Sequence, residues 1–274
     1  MDSQQYSYFN FHTLLNPISF QCKLKCPMMQ IRRTGKSTIF GKLRQQARKR
    51  LSWPPVGRVD FGDLDRIRPI SEDWGFHRGK PVDRYFIESF LSDNASDIRG
   101  RVLEVKDNEY TVRFGGDRVT RSDVIHKGDD NPAATIIDDL AEGHEIPSEA
   151  FDCIICTQTL NLIFDLPAAF RTLHRILRPG GVLLATVPAI SRITLEPVGR
   201  YHDYWRFTTS SCRQLCEPLF GSANLRTVTY GNVYAAVAFL HGLSLEDLEV
   251  EKLGSADPNI ELIVAMRATR EGKE

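Results

Sequence analysis

The chain has 274 residues, of which 42% are hydrophobic and 26% charged, a composition typical of a globular protein with one main domain. Its net charge is zero, but residues 1–50 hold ten Lys and Arg against one acid, which leaves 25 basic and 34 acidic residues in the rest. An acidic body does not favour nucleic acid as a partner. Six cysteines in a chain of this length exclude a disulfide scaffold, and no stretch approaches the roughly 20 apolar residues of a membrane span.

Residues 1–55 are predicted to form a basic, disordered tail that ends near the linker WPPVG at 53–57. The run TGKST at 34–38 resembles the end of a phosphate-binding loop, but Gln30 stands where that motif needs glycine. Residues 39–51 form either a solvated tail or a basic helix on a membrane surface. The start lacks the features of a secretory signal, so the cytoplasm is the expected location, although a basic, acid-poor start is also typical of transit peptides.

Residues 56–98 are predicted to form a helical cap or lid ahead of the main domain. The segment 81–95 places Tyr85, Phe86, Phe90 and Leu91 at the spacing of an amphipathic helix. The turn at 71–80 is rich in aromatic and basic residues and in glycine. It is either a lid over a binding crevice or a packed connector.

Short apolar runs separated by helical or loop segments predict a parallel sheet wound with helices. The predicted strands are Arg101–Val105, Val119–Val124, Ala134–Ile137, Phe151–Thr157 and Val182–Val187. A helix is predicted at Leu166–Leu177, whereas the connections between the first three strands are too short for long helices. The later elements are a helix capped by Thr208 or Thr209, a strand at 225–230, a helix at 233–242 and a strand at 260–266 that forms an antiparallel pair.

The order of the runs RVLEV, SDV, IIDDL, FDCIICTQTL, RILRPGG and VLLATVP resembles class I S-adenosylmethionine-dependent methyltransferases of the type 11 group. The tract WRFTTSSCRQLCEPLF is similar to a segment of bacterial methyltransferase domains that occur alone or beside glycosyltransferases. The resemblance implies an α/β fold with a Rossmann-like, seven-stranded, mostly parallel sheet whose last strand is antiparallel. The resemblance covers roughly residues 56–268, and within that range we expect the methyltransferase-like domain at 99–268.

The resemblance also implies S-adenosylmethionine as cofactor and roles for matched residues. Asp123, expected to end the second strand, would accept hydrogen bonds from the ribose, and Asp139 would accept one from the adenine amino group. Thr157 and Gln158, which follow Cys156 at the end of the fourth strand, would line the methionine side of the crevice. If they do not bind the cofactor, these residues only form part of the core and the end of the strand.

The segment after Glu104 departs from the family, because KDNEYT stands where a glycine-rich loop is expected. Without glycine, the side chains of Lys106 and Tyr110 could block the close approach of the backbone to a cofactor. Glu104, Asp107 and Glu109 nevertheless put negative charge where a sulfonium and an amino group would sit.

No general base carries over from the family, because Leu162 stands at the position of its frequent histidine. His202 and Asp203, in the loop before the helix that starts near Thr209, are the nearest alternative. The pairs Cys153/Cys156 and Cys212/Cys216 have the spacing of thiolate zinc ligands. Residues three apart on a strand point to opposite faces, so we expect buried thiols and no metal site.

These observations predict methyl transfer from S-adenosylmethionine to a small acceptor, with oxygen as the attacking atom and a sugar or polysaccharide intermediate suggested by the resemblance. A glycosyltransferase is the implied protein partner. Two alternatives remain: a catalytically degenerate binding module with the same fold, and a dinucleotide oxidoreductase, which the absence of GxGxxG disfavours.

Overall fold

The computed structural model describes residues 48, 51–194 and 202–272, and the chain divides into two units, Met1–Asp60 and Phe61–Glu274. Most of the predicted basic tail, including the segment that resembles a phosphate-binding loop, lies outside the described residues. In the described part of the first unit, the backbone N–H of Arg58 donates to the carbonyl of Pro55.

The second unit is built on a seven-stranded sheet with the order β3-β2-β1-β4-β5-β7-β6. All neighbouring strands are parallel except those beside β7, which runs antiparallel to both β5 and β6. The fold class expected from the sequence is therefore confirmed. The strands are β1 (Gly100–Val105), β2 (Val119–His126), β3 (Ile136–Ile137), β4 (Phe151–Thr157), β5 (Leu177–Pro188), β6 (Leu225–Tyr230) and β7 (Ile263–Thr269).

Four helices cover the two faces of this sheet: α1 (Val82–Asp93), α2 (Leu166–Ile176), α3 (Thr209–Phe220) and α4 (Val233–His241). The apolar faces of α2 and α3 pack on one side of the sheet, and those of α1 and α4 pack on the other. Side chains from successive strand residues enter the two cores alternately. None of the helices in the described ranges is long and apolar enough to cross a membrane.

Local capping explains where three of these helices begin. The side chain of Asp165 accepts the N–H of Ala168 at the start of α2, and Thr208 and Ser211 form a reciprocal capping box at the start of α3. The Asn232 side chain accepts the N–H of Ala235 at the start of α4. The predicted cap at Thr208 is confirmed, and the positions predicted for α2, α3 and α4 agree with the structure to within a residue or two.

The connections between β1, β2, β3 and β4 contain no long helix in the structure, as predicted. The chain passes from β1 to β2 through a helical turn at Thr111–Gly115, and the segment from β3 to β4 covers its face of the sheet with Leu140 and Ile146. The first half of the sheet is consequently thinner than the second half.

Four strands differ from those predicted: β3 is shorter, Ile136–Ile137 instead of 134–137, β7 is shifted from 260–266 to Ile263–Thr269, and β2 and β5 are longer. β2 continues to His126 because the charge of Asp123, which was expected to end it at Val124, is neutralised within the sheet. β5 begins at Leu177, so the RPGG tract is strand rather than turn. At Gly181 a Cβ atom would lie 2.9 Å from the carbonyl oxygen of Arg178, which only glycine avoids.

The turn at 71–80 is a packed connector. It is bound to the segment after α4: the N–H of Ser71 donates to the carbonyl of His241, and the Arg78 guanidinium pairs with Asp247 at 2.6 Å. Helix α1 of the predicted cap shares its core with α4 and the sheet. The domain boundaries at 55 and 98 stay predictions.

Candidate functional site

The carboxyl ends of the parallel strands meet at one edge of the sheet. This edge contains the ends of β1, β2, β3 and β4, and β1 lies between β2 and β4, where the direction of strand progression reverses. Ligands of open α/β sheets bind at such a reversal. Most of the residues predicted to bind a cofactor lie at this edge: Glu104, Asp107, Asp139, Thr157 and Gln158.

Glu104 is buried near the end of β1 and holds the following segment in place. Its carboxylate accepts the backbone N–H of Thr111 at 2.7 Å, the Thr111 hydroxyl at 2.7 Å and the N–H of Tyr110 at 3.2 Å. Burial raises the pKa of Glu104 to about 7, although the hydrogen bonds from Thr111 and Tyr110 oppose that shift. The direct role of Glu104 is thus to anchor the turn that replaces the glycine-rich loop.

Lys106 stands two residues after Glu104 and has a φ of +79°, the left-handed conformation that favours glycine. Its N–H donates to the carbonyl of Ile125, its carbonyl accepts from Asn131, and its side chain is exposed. The backbone therefore bends as a glycine would permit, even though the glycine is missing. Asp107 follows it, exposed at the end of β1, and its carboxylate accepts the N–H of Glu109.

Asp123 does not end its strand, and this prediction was wrong. It pairs with Leu103 in the middle of the sheet, its side chain is 1% exposed, and its oxygens accept from Arg101 at 2.7 Å and Arg121 at 3.0 Å. Burial opposes its ionisation, but the two guanidinium groups outweigh that effect and lower the pKa of Asp123. These contacts give the residue a structural role rather than the ribose contact that we expected.

Asp139 lies two residues beyond β3, at the expected edge. Its Oδ1 accepts the N–H of Ala141 at 2.8 Å, and its Oδ2 pairs with the exposed ammonium of Lys127 at 2.7 Å. A carboxylate has lone pairs for further donors. The position of Asp139 is therefore compatible with the predicted contact to adenine.

The carboxyl ends of β4 and β5 carry a group of buried polar atoms without hydrogen-bond partners. Gln158 follows β4 with a φ of +49°, and its N–H donates to the carbonyl of Thr186 at 2.8 Å. The Gln158 Nε2, the Thr186 Oγ1 and the Asn161 Oδ1 are buried and have no partner in the structure. Unpaired buried polar groups are costly, and they concentrate where a ligand is bound. This group fits a polar ligand beside β4.

The loop before α3 is fixed to the turn after β4. The Asp203 carboxylate, whose side chain is 1% exposed, accepts from both terminal nitrogens of Arg206, from Asn161 Nδ2 and from the N–H of Thr194. Burial raises the pKa of this carboxyl group, but the four bonds together lower it below its usual value. These contacts give Asp203 the role of anchoring the loop, and its predicted part in proton transfer stays a prediction.

His202 differs from its neighbour. Its side chain is exposed and lies 5.8 Å from the ring of Tyr204, whose backbone N–H donates to the carbonyl of Asn161. Phe164 and Trp205 stack nearby, with ring centroids 6.0 Å apart. The loop thus presents an imidazole and two aromatic rings next to Phe164 in the segment that follows β4.

The described cysteines are free and buried. Cys153 and Cys156 enter opposite cores of the sheet, and burial raises the pKa of the Cys156 and Cys212 thiols to about 12. Within the ranges that the structure describes, no group of three or more His, Cys, Asp or Glu residues is placed to hold a metal ion.

Several residues of this edge were not identified from the sequence. His126 ends β2 and lies 3.3 Å from Asp130, so this pair occupies the place that we assigned to Asp123. Asn161, Thr186 and Arg192 carry buried polar atoms without partners. Asn161 could have been identified, because it is a polar residue shortly after a predicted strand. Thr186 could not, because it lies in an apolar run and the sequence does not show which face of the sheet its side chain is on.

Comparisons with known proteins agree with this architecture. The methyltransferase-domain family matches residues 69–227. The ubiquinone/menaquinone biosynthesis C-methyltransferases UbiE of Yersinia pestis (strain Pestoides F) and Enterobacter sp. (strain 638) are 25% and 26% identical over 167 and 166 residues. In both cases the match covers 52% of this chain and 63% of the relative, so the chain spans less than two thirds of their length.

Two solved structures are also similar to this chain. A SAM-dependent methyltransferase from Archaeoglobus fulgidus has a TM-score of 0.47 and 11% identity, covering 68% of this chain and 94% of its own. Haemonchus contortus phosphoethanolamine N-methyltransferase 2, in complex with S-adenosyl-L-methionine, has a TM-score of 0.46 and 14% identity, covering 79% and 61%. Because the family match extends over more than half of the residues, the chain belongs to the methyltransferase-domain family of class I S-adenosylmethionine-dependent methyltransferases.

Proposed function

We propose that this chain transfers a methyl group from S-adenosylmethionine to a small oxygen acceptor, such as a sugar or a polysaccharide intermediate. The group of unpaired polar atoms at the ends of β4 and β5, on Gln158, Asn161 and Thr186, is the observation that carries the proposal. Bound at this edge, S-adenosylmethionine supplies an activated methyl group on a sulfonium.

The residues of the edge would hold the cofactor in complementary ways. Thr157 and Gln158 supply hydrogen-bonding groups beside β4, Asp107 supplies an exposed carboxylate after β1, and Asp139 supplies an acceptor after β3. Glu104 acts through the turn that it anchors. The acids around β1 also favour a cationic ligand electrostatically.

An oxygen acceptor needs a group that takes its proton, and His202 is our candidate for that role. The residue is exposed next to the turn after β4, and the anchored Asp203 fixes the loop that carries it. The attacking oxygen and the methyl group also have to be aligned, and rigid positioning of this kind can supply much of the rate enhancement. The two UbiE relatives named above are C-methyltransferases, so a carbon acceptor is the competing outcome.

A catalytically degenerate binding module remains the second candidate. It is favoured by Glu104 and Asp123, whose carboxylates already accept hydrogen bonds from protein donors. A cytoplasmic location stays a proposal, the glycosyltransferase partner rests on the resemblance, and membrane contact rests on the basic tail.

Calorimetry with S-adenosylmethionine, S-adenosylhomocysteine and NAD tests the proposal. We expect both sulfur compounds to bind and NAD not to bind. Gln158→Ala should weaken the affinity for S-adenosylhomocysteine by about fivefold to tenfold, which is the value of one hydrogen bond. The matched control is Gln214→Ala on the exposed face of α3.

The other possible results of the calorimetry each support one of the alternative functions. If neither sulfur compound binds, the chain is a binding module, and if NAD alone binds, it is an oxidoreductase. Once binding is established, labelled S-adenosylmethionine and a panel of sugars identify the acceptor. His202→Ala should then lower the methylation rate at saturating substrate, whereas His144→Ala, at another exposed histidine, should not.

A further inference from the structure

Arg192 lies four residues after the end of β5 and has an unusual environment for a charged side chain. Its Nη1 donates to the carbonyl of Ser71 at 2.9 Å, and its guanidinium lies 4.2 Å from the ring centroid of Trp74. The Nε and Nη2 atoms are buried and have no hydrogen-bond partner. Two of the three nitrogens of a cationic group are therefore left without an acceptor.

The nearby charges do not compensate for this arrangement. Arg206 donates to the carbonyl oxygen of Arg192, but its own guanidinium is neutralised by Asp203. Burial lowers the pKa of Arg192, and the exposed Glu72 opposes this effect only from a distance, since no salt bridge joins the two residues in the described ranges. Leaving donors of a buried charged group unpaired is costly, and an anion that accepted from them would offset that cost.

The surroundings of Arg192 are rigid. The Ser71 hydroxyl accepts the N–H of Gly75 at 3.0 Å and lies 3.2 Å from His77 Nδ1. At Gly75 a Cβ atom would lie 2.9 Å from the backbone oxygens of Gly242 and Leu243, so the turn and the segment after α4 are in direct backbone contact. A site held in this way loses little entropy when a ligand binds.

The position of Arg192 relates it to the proposed reaction. It follows β5, which is next to β4 in the sheet, and its loop is fixed through Asp203 to the turn that contains Asn161. It therefore lies on the β5 side of the edge proposed for the cofactor. A guanidinium with Nε and one terminal nitrogen free has the forked geometry that matches a carboxylate or a phosphate.

We propose that Arg192, stacked on Trp74, binds the carboxylate or phosphate of an anionic methyl acceptor. The role as acceptor site rests on the function proposed above, whereas the oxyanion site itself can be tested without any methyl transfer. The acceptor would carry its negative group at one end and its nucleophilic atom toward β4.

The test is an NMR titration of the full chain with sodium phosphate and with sodium acetate at constant ionic strength. The signals are the Nε–H of Arg192, assigned by its loss in Arg192→Lys, and the indole N–H of Trp74, assigned by Trp74→Phe. Methyl acetate serves as the neutral probe. The matched control is Arg213→Lys, at an exposed arginine that pairs with Glu217 on α3.

We expect saturable shifts of both signals with at least one anion and none with methyl acetate. Arg192→Lys should weaken anion binding about tenfold, because lysine lacks the fork, and Arg213→Lys should leave it unchanged. Binding of phosphate alone would indicate a phosphorylated acceptor, and binding of acetate alone a carboxylate. If Arg192→Lys does not fold, the Trp74 signal of the unaltered chain still decides the result.

Absence of saturation with both anions, or an equal response to methyl acetate, would overturn the proposal. The titration is repeated with S-adenosylhomocysteine at saturation. If that ligand binds and abolishes the anion response, Arg192 holds the carboxylate of the cofactor and the acceptor assignment is wrong. If S-adenosylhomocysteine binds but neither anion does, this inference fails and the proposed function is unaffected. If an anion binds but S-adenosylhomocysteine does not, the proposed function fails and the oxyanion site is retained.

Discussion

Glu104 connects the candidate site to the stability of the protein. Burial raises the pKa of this carboxyl group from 4.5 to about 7, so between these values the folded protein binds its proton more tightly than the unfolded chain does. The contribution of Glu104 to the free energy of unfolding should then be fully present at and below pH 4.5 and fall by about 3 kcal/mol as the pH rises through 7. Denaturant unfolding at a series of pH values measures this slope.

The matched variant for this prediction is Glu104→Gln, which keeps the shape of the side chain and removes its titration. Its unfolding free energy should change less over the same pH range. Acids whose pKa is lowered, such as Asp123 and Asp203, lose their protons below this range and do not contribute to the slope. If the unfolding free energies of the unaltered protein and of Glu104→Gln changed equally with pH, Glu104 would not be the cause of the pH dependence.

Lys106 provides a second prediction at the level of a single residue. Its left-handed conformation, with a φ of +79°, costs a non-glycine residue about 1 kcal/mol, so Lys106→Gly should leave the protein as stable or slightly more stable. Asp129→Gly, in the neighbouring exposed loop, should destabilise it by up to about 1 kcal/mol, because glycine increases the entropy of the unfolded chain. Thermal unfolding distinguishes the two.

The Lys106→Gly variant also tests whether the lysine side chain blocks the approach of the cofactor to the turn after β1. If the lysine side chain obstructs the turn after β1, Lys106→Gly will bind S-adenosylhomocysteine more tightly than the unaltered chain. A Lys106→Gly variant that is clearly less stable would show instead that this side chain makes contacts that the chain needs.

The sequence was a partial guide at this scale. It placed Gln158 and Asp139 just after apolar strands, where the structure has them, because polar residues that follow such strands are visible in the sequence. It misplaced Asp123 because a carboxylate inside a strand normally marks its end, and the partner that keeps it there, Arg101, lies on another strand. The anchoring bonds of Asp203 involve Asn161, 42 residues away, and no local pattern reports them.

At the scale of secondary-structure elements, the contact between the turn at 71–80 and the end of α4 gives a third prediction. Gly242 has a φ of +66°, and a Cβ atom there would lie 2.4 Å from the backbone oxygen of Ser71. Gly242→Ala should therefore destabilise the protein by about 2 kcal/mol or more, through the clash and the strained φ. Gly254→Ala, with no atom within 4 Å of the new methyl group, should change stability by less than about 1 kcal/mol.

Thermal and denaturant unfolding of both variants check this prediction. Equal stability of the two would mean that the turn at 71–80 moves away without cost, as a lid would. In that case the rigid environment that we infer for Arg192 would also be wrong. The sequence left this choice open because both a lid and a connector favour aromatic and glycine residues.

The regular elements themselves were largely predictable. Apolar spacing located α1, and Thr208 marked the start of α3, whereas the caps Asp165 and Asn232 are seen only in the structure. The boundaries that failed, in β2, β3, β5 and β7, depend on pairing with neighbouring strands. Pairing across a sheet is a long-range property, and local composition does not determine it.

At the scale of the whole molecule, the two halves of the sheet are covered unequally. α2 and α3 pack on one face beside β4 to β7, whereas β2 and β3 are joined by short connections, and β3 has only two residues. Such a region has fewer buried apolar contacts, so we expect it to open locally with a lower free energy than the second half. Amide hydrogen exchange measures these opening energies.

Cofactor binding should change this exchange pattern in a specific way. The proposed site joins the thin half, at Glu104 to Thr111, to the well-covered half, at Thr157 to Asn161. S-adenosylhomocysteine should therefore slow exchange in both segments, and at about 100 times its dissociation constant it stabilises the folded state by about 2.7 kcal/mol. NAD at the same concentration is the control and should slow neither segment. Protection confined to the second half would mean that the turn after β1 takes no part in binding, and the proposed roles of Glu104 and Asp107 would have to be abandoned.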